Sequence, residues 1–450
     1  MAKTIKLTKG FDIQLVGEAL RFNKTIELSR NFAIKPKDFK GITPKLLVEQ
    51  GSEVKAGDPL FYSKDNEKMM FVSPVSGEIA EIKRGERRVI EEIVILSDAK
   101  NNYKEFGKSN PAELSKAEII DKLLLSGAWT FIKQRPFNKI ANPDETPQAI
   151  FISTFDSSPL GVDYNHVVKG FEKEFQTGID ALKKLTEGNV YLNLSKRVLN
   201  GHAFEDAHHV VKTVFDGPHP AGNVGVQIHH LQPVVNKSKL VWTVNPQDLI
   251  IIGRLFTEGV FNSNKLVAVA GSSVINRQYY HAPIGVNVSS LLKDNLNPGV
   301  HRVISGNVLT GTQINENDYL GYYDSLISVI PEGHDEEFLG WLIPSYPRPS
   351  LSKTMPSFLF PDKKYEVNTN MHGEERAFVV TGDYEKVLPM DIMPLHLIKA
   401  CLTGNFEDME ALGIYEVDPE DFALCEFICT SKSPIQRIIN DGLNLIEKEG

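Results

Sequence analysis

Trp129, Phe131, Lys133, Arg135 and Phe137 recur at every second position through Ala-Trp-Thr-Phe-Ile-Lys-Gln-Arg-Pro-Phe. Aromatic rings can cover a flat ligand while Lys or Arg polarises its carbonyl oxygens, matching sites built from apolar walls and few polar contacts. The plainer reading is a helix end and a loop packed on a core. Asp216, His219, His229 and His230 form a second constellation. Imidazole and carboxylate can close a tetrahedral zinc shell, but their spacing is not diagnostic. Asp216-Gly-Pro is turn chemistry, and Gly217, Pro218, Pro220, Gly222 and Gly225 make a stiff loop. Asp216 and His219 are therefore loop candidates for structure or partner docking, and no metal is expected. Ser157-Ser158-Pro159 follows a strand ending near Thr154, where α/β sheets bind ligands. Without Gly-x-Ser-x-Gly or an evident His partner, a serine nucleophile is not expected, and no other residue stands out as catalytic.

These residues need elements to position them. From about Phe32 to Ser97, short apolar runs alternate with Gly, Pro and Asp turns, an all-β pattern. The glycine-turned pairs Val48–Leu60 and Ser73–Ile79 resemble the lipoyl/biotinyl-carrier sandwich, so residues 1–100 are read as a β-rich domain. Lys68 lies six residues before Pro74, the wrong spacing for a carrier lysine, so no covalently bound cofactor is expected. Residues 101–258 alternate strand and helix. Gln148–Ser153, Val190–Leu194 and Leu240–Val244 read as strands; Val167–Leu185, about Phe204–Val214 and the segment after Pro246 read as helices. Such alternation predicts a mostly parallel sheet covered on both faces. Residues 259–335 form a small α+β module, 336–394 a Pro-rich strap, and 395–450 a helical domain with Asp418-Pro419 as an N-cap and first-turn proline.

Composition narrows the function classes. The 450 residues are 41% hydrophobic and 24% charged, as in a globular multidomain chain. A net charge of -9 argues against nucleic acid as a partner. No run of about 18 apolar residues suggests a membrane span, so any membrane association requires a partner, and the N-terminus lacks the apolar core of a secretory signal. Cys401, Cys425 and Cys429 fit a reducing compartment. They fall short of the four thiolates that an iron–sulfur cluster requires and read as free thiols.

Six ordered strings carry a family resemblance: Arg135-Pro-Phe137 after Ser126-Gly-Ala-Trp129, Phe215-Asp-Gly-Pro-His-Pro-Ala-Gly222, Arg302-Val-Ile-Ser-Gly306, Phe338-Leu-Gly-Trp341, Asp383-Tyr-Glu-Lys-Val387 and Leu424-Cys-Glu-Phe-Ile-Cys429. With them the chain resembles the NqrA family, one of the subunit families of Na+-translocating NADH:quinone reductases. The resemblance implies a multidomain α/β plus β fold class: a lipoyl/biotinyl-like barrel-sandwich, a Rossmann-like parallel α/β domain, a small ubiquitin-like (SLBB-type) α+β module and a C-terminal helical domain. It implies a peripheral subunit on the cytoplasmic face of the bacterial inner membrane, docked to the other subunits of the reductase. Flavins and iron centres are then expected in those partners. Quinone becomes the expected ligand of Trp129, Phe131, Lys133, Arg135 and Phe137. More distant flavin-binding relatives carry a glycine-rich loop where this chain keeps only Gly127 beside Trp129 and Phe131, so a nucleotide is not expected there. Trp341, Tyr346 and Arg348 are expected partner contacts. The alternatives are a free-standing FMN/NADH dehydrogenase and a ligand-free structural adaptor.

Overall fold

The computed structural model describes residues 2–198, 202–333, 348–353 and 356–449. At its centre is a seven-stranded sheet in the order Lys3–Lys6, Val211–Asp216, Asn189–Ser195, Ala149–Ser153, Val241–Thr243, Lys133–Arg135, Lys139–Ile140. The first five strands are parallel. Lys133–Arg135 runs antiparallel to both of its neighbours.

Ala149–Ser153 reads Ala-Ile-Phe-Ile-Ser and is buried except at its last residue. A strand covered on both faces needs such an uninterrupted apolar run. Phe151 packs with Ile228 and Val241 on one face, whereas Ile150 and Ile152 join the main core on the other. On the second face, helices Glu172–Lys183 and Pro246–Thr257 cross where each carries glycine. A Cβ on Gly178 would stand 2.5 Å from the Leu249 carbonyl oxygen, and one on Gly253 would stand 1.8 Å from that of Glu174. Only hydrogen at these positions allows so close a crossing.

The expected helix at 204–214 is corrected to turns followed by the strand Val211–Asp216. Two parallel neighbours supply that segment with backbone partners, and pairing of this kind overrides a local helical pattern. The single helix expected over 167–185 is two, Tyr164–Val168 and Glu172–Lys183, broken where Gly170 takes φ +90°. The N-terminal segment, read as part of the β-rich domain, instead gives Lys3–Lys6 to the central sheet and Asn23–Lys24 to another.

The sandwich pairs the sheet Asn31–Ile34, Ile90–Ser97, Gly77–Arg84, Glu53–Val54 with the sheet Pro44–Leu46, Pro59–Ser63, Asn66–Val72. Phe39 and Phe61 each lie 4.5 Å from Phe71 between ring centroids. Lys68 pairs with Asp121 at 3.1 Å on helix Lys116–Leu125, joining the sandwich to the α/β unit. A mixed six-stranded sheet follows, built mainly from residues 264–331 with helix Ser289–Leu292. Helices Pro394–Thr403, Phe406–Ala411, Ala423–Ile428 and Ile435–Glu449 end the chain. Cys425 and Cys429 are buried there and all three cysteines are free. Burial pushes the Cys401 thiol up to about 12. Among the described residues, no helix is long and apolar enough to cross a membrane.

Candidate functional site

A cleft of about 460 Å³ opens at the carboxyl ends of the parallel strands. After Ala149–Ser153 the chain builds the sheet outward through Asn189–Ser195 and Val211–Asp216, then returns to place Val241–Thr243 on the other side of Ala149–Ser153. The cleft lies over this reversal, lined by Ser153 and Phe155 after one strand and by Thr243, Val244 and Asn245 after the other. Loops leaving adjacent strand ends in opposite directions produce such a crevice.

One wall comes from the aromatic-basic stretch. Phe131, Lys133 and Arg135 line the cleft together: Lys133 and Arg135 are alternate residues of one strand and share its face, and Phe131 comes from the end of the short helix before it. Phe131 stacks on Tyr322 at 5.5 Å. The Lys133 ammonium sits 3.4 Å from the centre of the Tyr323 ring, whose hydroxyl donates to the Thr130 carbonyl at 3.0 Å. Burial lowers the Lys133 ammonium to about 7 against the pull of Asp248, Asp38 and Asp418. Arg135 places Nη2 2.8 Å from Glu420 and Nη1 3.3 Å from Asp418, both from the C-terminal domain.

Trp129 and Phe137 are not among the cleft-lining residues. Trp129 is fully buried in the short helix Ala128–Phe131, its Nε1 donating to the Ala141 carbonyl at 2.7 Å and its ring edge-on to Trp242. Phe137 takes φ +77°, which ends the alternation, and packs edge-on against Tyr415. Gly127 is needed for packing: at φ +77°, a Cβ would lie 2.8 Å from the Val72 side chain in the sandwich.

The loop candidates divide as well. Asp216 stays at the surface with Lys196 at 2.8 Å, and that hydrogen bond holds its carboxyl below the usual range. His219 is buried at the cleft, and burial lowers its imidazole to about 4. Ser157 Oγ stands 3.0 Å from His219 Nδ1 and accepts the Gly222 N–H at 2.8 Å. The histidine partner absent from the local sequence thus arrives from 62 residues away. Ser157 Oγ and His219 Nδ1 share one hydrogen bond, and the pair ties the strand-end loop to the Asp216–Gly222 loop. Asp12 accepts the His219 N–H at 2.8 Å and meets Arg197 at 2.7 Å, fastening the N-terminal segment to the same place.

His229 and His230 lie elsewhere. His229 Nε2 accepts the Asp391 N–H at 2.9 Å, so Nδ1 carries the proton directed at Glu416, 2.8 Å away. His230 Nε2 donates to the Pro389 carbonyl at 2.8 Å. Both hold the strap and C-terminal domain against helix Val224–Leu231. Trp341 and Tyr346 lie outside the described residues; Arg348 is half-buried.

Sequence reasoning missed several cleft residues. Asp248 forms a buried ion pair with Lys265 at 2.7 Å, yet desolvation still raises its carboxyl. Tyr323 and Asp324 come from the third unit and Glu420 from the C-terminal domain. Their only local signal was the Asp418-Pro cap preceding Glu420. Buried Gln227 bridges beneath the cleft, donating to Ser153 Oγ and accepting from Asn193, both at 2.8 Å.

Fold and cleft define a class: a multidomain α/β chain with a barrel-sandwich attached and a crevice open at its sheet reversal. The family model described as NqrA N-terminal barrel-sandwich hybrid domain matches residues 5–98, the NqrA second alpha/beta domain 114–261, and the NQRA C-terminal domain 266–316. The NqrA subunit of the Na(+)-translocating NADH-quinone reductase of Yersinia pestis bv. Antiqua is 37% identical over 99% of this chain and 100% of its own length. Its counterparts in Serratia proteamaculans and in Neisseria meningitidis serogroup C match at the same identity and coverage. The chain belongs to the NqrA family of Na+-translocating NADH-quinone reductase subunits.

Proposed function

We propose that the chain serves as a peripheral subunit of a Na+-pumping NADH:quinone reductase, on the cytoplasmic side of the membrane, with a quinone head group entering the cleft. Subunit membership rests on the full-length likeness to relatives bearing that name. The quinone reading rests on one observation: Phe131, Lys133 and Arg135 converge on a cleft of about 460 Å³, a size suited to a small aromatic ligand. Phe131 and Tyr323 supply apolar wall, and Lys133 in its ammonium form donates to a quinone carbonyl oxygen. The electrons come from flavins and iron centres of partner subunits. In this reading the α/β unit is Rossmann-like, the third unit a ubiquitin-like module, and residues 395–450 a helical domain that closes the cleft.

The test uses the complex assembled in native membranes with a tagged chain carrying Lys133→Met. A charge-assisted hydrogen bond contributes about 1.5–3 kcal/mol, so the KM for quinone rises about ten- to hundredfold while NADH-driven flavin reduction keeps its rate. An unchanged KM removes quinone from this cleft. Failure to recover membrane redox partners removes the docking role, and an isolated yellow chain that oxidises NADH favours the free-standing dehydrogenase.

A further inference from the structure

At the amino-terminal end of the strand Val211–Asp216, the opposite end of the parallel strands from the cleft, Asp180, His208 and His209 bring one ligand atom each to within 4.8 Å of one another. Asp180 stands in the last turn of helix Glu172–Lys183, and the two histidines precede the strand Val211–Asp216. Consecutive side chains ordinarily diverge. Here His209 takes φ +60°, and the two imidazoles meet at 4.7 Å between centroids. A non-glycine residue in the left-handed region is sparsely populated and persists only where its surroundings hold it.

Gln176, one helical turn before Asp180, does much of that holding. Its Nε2 donates to Asp180 Oδ1 at 2.9 Å and to the His208 carbonyl at 3.2 Å, and its Oε1 accepts the His208 N–H at 3.0 Å. His208 Nδ1 lies 3.4 Å from the Asp206 carbonyl oxygen, which orients the ring with Nε2 outward. His209 Nδ1 approaches Asp180 Oδ1 at 2.9 Å. Ligands of one tetrahedral zinc stand about 3.4 Å apart, given bonds of about 2.1 Å. Small side-chain rotations therefore convert the cluster into three corners of a tetrahedron, and the exposure of both histidines leaves the fourth to water.

We infer that Asp180, His208 and His209 form a site for a transition-metal dication, best suited to Zn2+, with Gln176 positioning the ligands. Two imidazoles exclude Mg2+ and Ca2+, which prefer all-oxygen shells. The bound ion ties the segment just before strand Val211–Asp216 to helix Glu172–Lys183, so its effect falls on stability and not on cleft chemistry.

The purified full chain, stripped with chelator, is titrated calorimetrically with ZnCl2 and spectroscopically with CoCl2. One Zn2+ per chain binds and raises the thermal midpoint. Co2+ gives visible d–d bands without the ultraviolet charge-transfer band that thiolates would add. His209→Ala and Asp180→Asn abolish saturable binding, while Gln176→Leu weakens it about ten- to hundredfold, as loss of an outer-shell partner does elsewhere. Absence of saturable binding by the wild-type chain overturns the inference. So does a thiolate band, or a stoichiometry indifferent to Asp180 and His209, since either places the ion on other residues.

Discussion

Lys133, half-buried, and His219, buried, place nitrogens on the same cleft, and desolvation lowers both, with different consequences. Lys133, lowered to about 7, is an ammonium below that pH and an amine above it. If the ammonium binds quinone, the KM for quinone climbs as pH rises past about 7, and Lys133→Arg, whose guanidinium stays charged, flattens the climb in steady-state assays of the complex. His219 bears on stability. Its folded pKa of about 4 lies below the ordinary 6.5, so the unfolded chain binds more protons between these values. Its contribution is therefore fully present above about 6.5 and is lost as pH falls toward 4. The span corresponds to about 3 kcal/mol at most, at about 1.4 kcal/mol per pH unit. Thermal melts at pH 7 and pH 4.5 should show a larger drop in midpoint for the wild type than for His219→Asn; equal drops would mean that His219 is solvated when folded.

Helices Glu172–Lys183 and Pro246–Thr257 set the positions of Asn245 and Asp248 over the cleft by crossing through Gly178 and Gly253. A methyl group on Gly253 meets the Glu174 carbonyl, which is backbone and cannot rotate aside. Gly253→Ala is expected to lower stability by about 1–3 kcal/mol or more, the range for overpacking, and to loosen the cleft floor. Denaturant unfolding measures the first effect, and hydrogen exchange at residues 245–248 the second. The sequence made these helices legible through the amphipathic pattern of 167–185 and through Pro246, after which a helix is expected. It also placed Phe131, Lys133 and Arg135 on one stripe, because a period of two is visible without any partner. The alternation fails at Trp129 and Phe137, where a helical turn and a positive φ intervene. The segment at 204–214 was misread because its strand character comes from neighbours distant in sequence, Lys3–Lys6 and Asn189–Ser195.

Across the whole molecule, the order of units followed from changes in period, but their convergence on one cleft did not, since nothing local to Lys133 announces Tyr323 or Glu420. Arg135 is the clearest case. Its side chain is 5% exposed, and its counter-charges, Asp418 and Glu420, come from the C-terminal domain more than 280 residues away. Burial raises the Glu420 carboxyl, and the Arg135 charge opposes that rise. Removing both acids as Asp418→Asn with Glu420→Gln leaves a buried cation without its two ion-pair partners, with Asp421 the remaining acid nearby. Breaking a buried pair in this way costs about 3–5 kcal/mol. Adding Arg135→Met, which fills similar volume without charge, should recover most of that loss, because pairs replaced by apolar groups are often neutral in stability. Thermal midpoints of the three chains decide the matter. A large drop with recovery means that the C-terminal domain is held to the cleft by charge compensation at Arg135. A drop that Arg135→Met fails to relieve would shift the anchoring to the other contacts of that domain, such as His229 with Glu416 and Lys139 with Glu447.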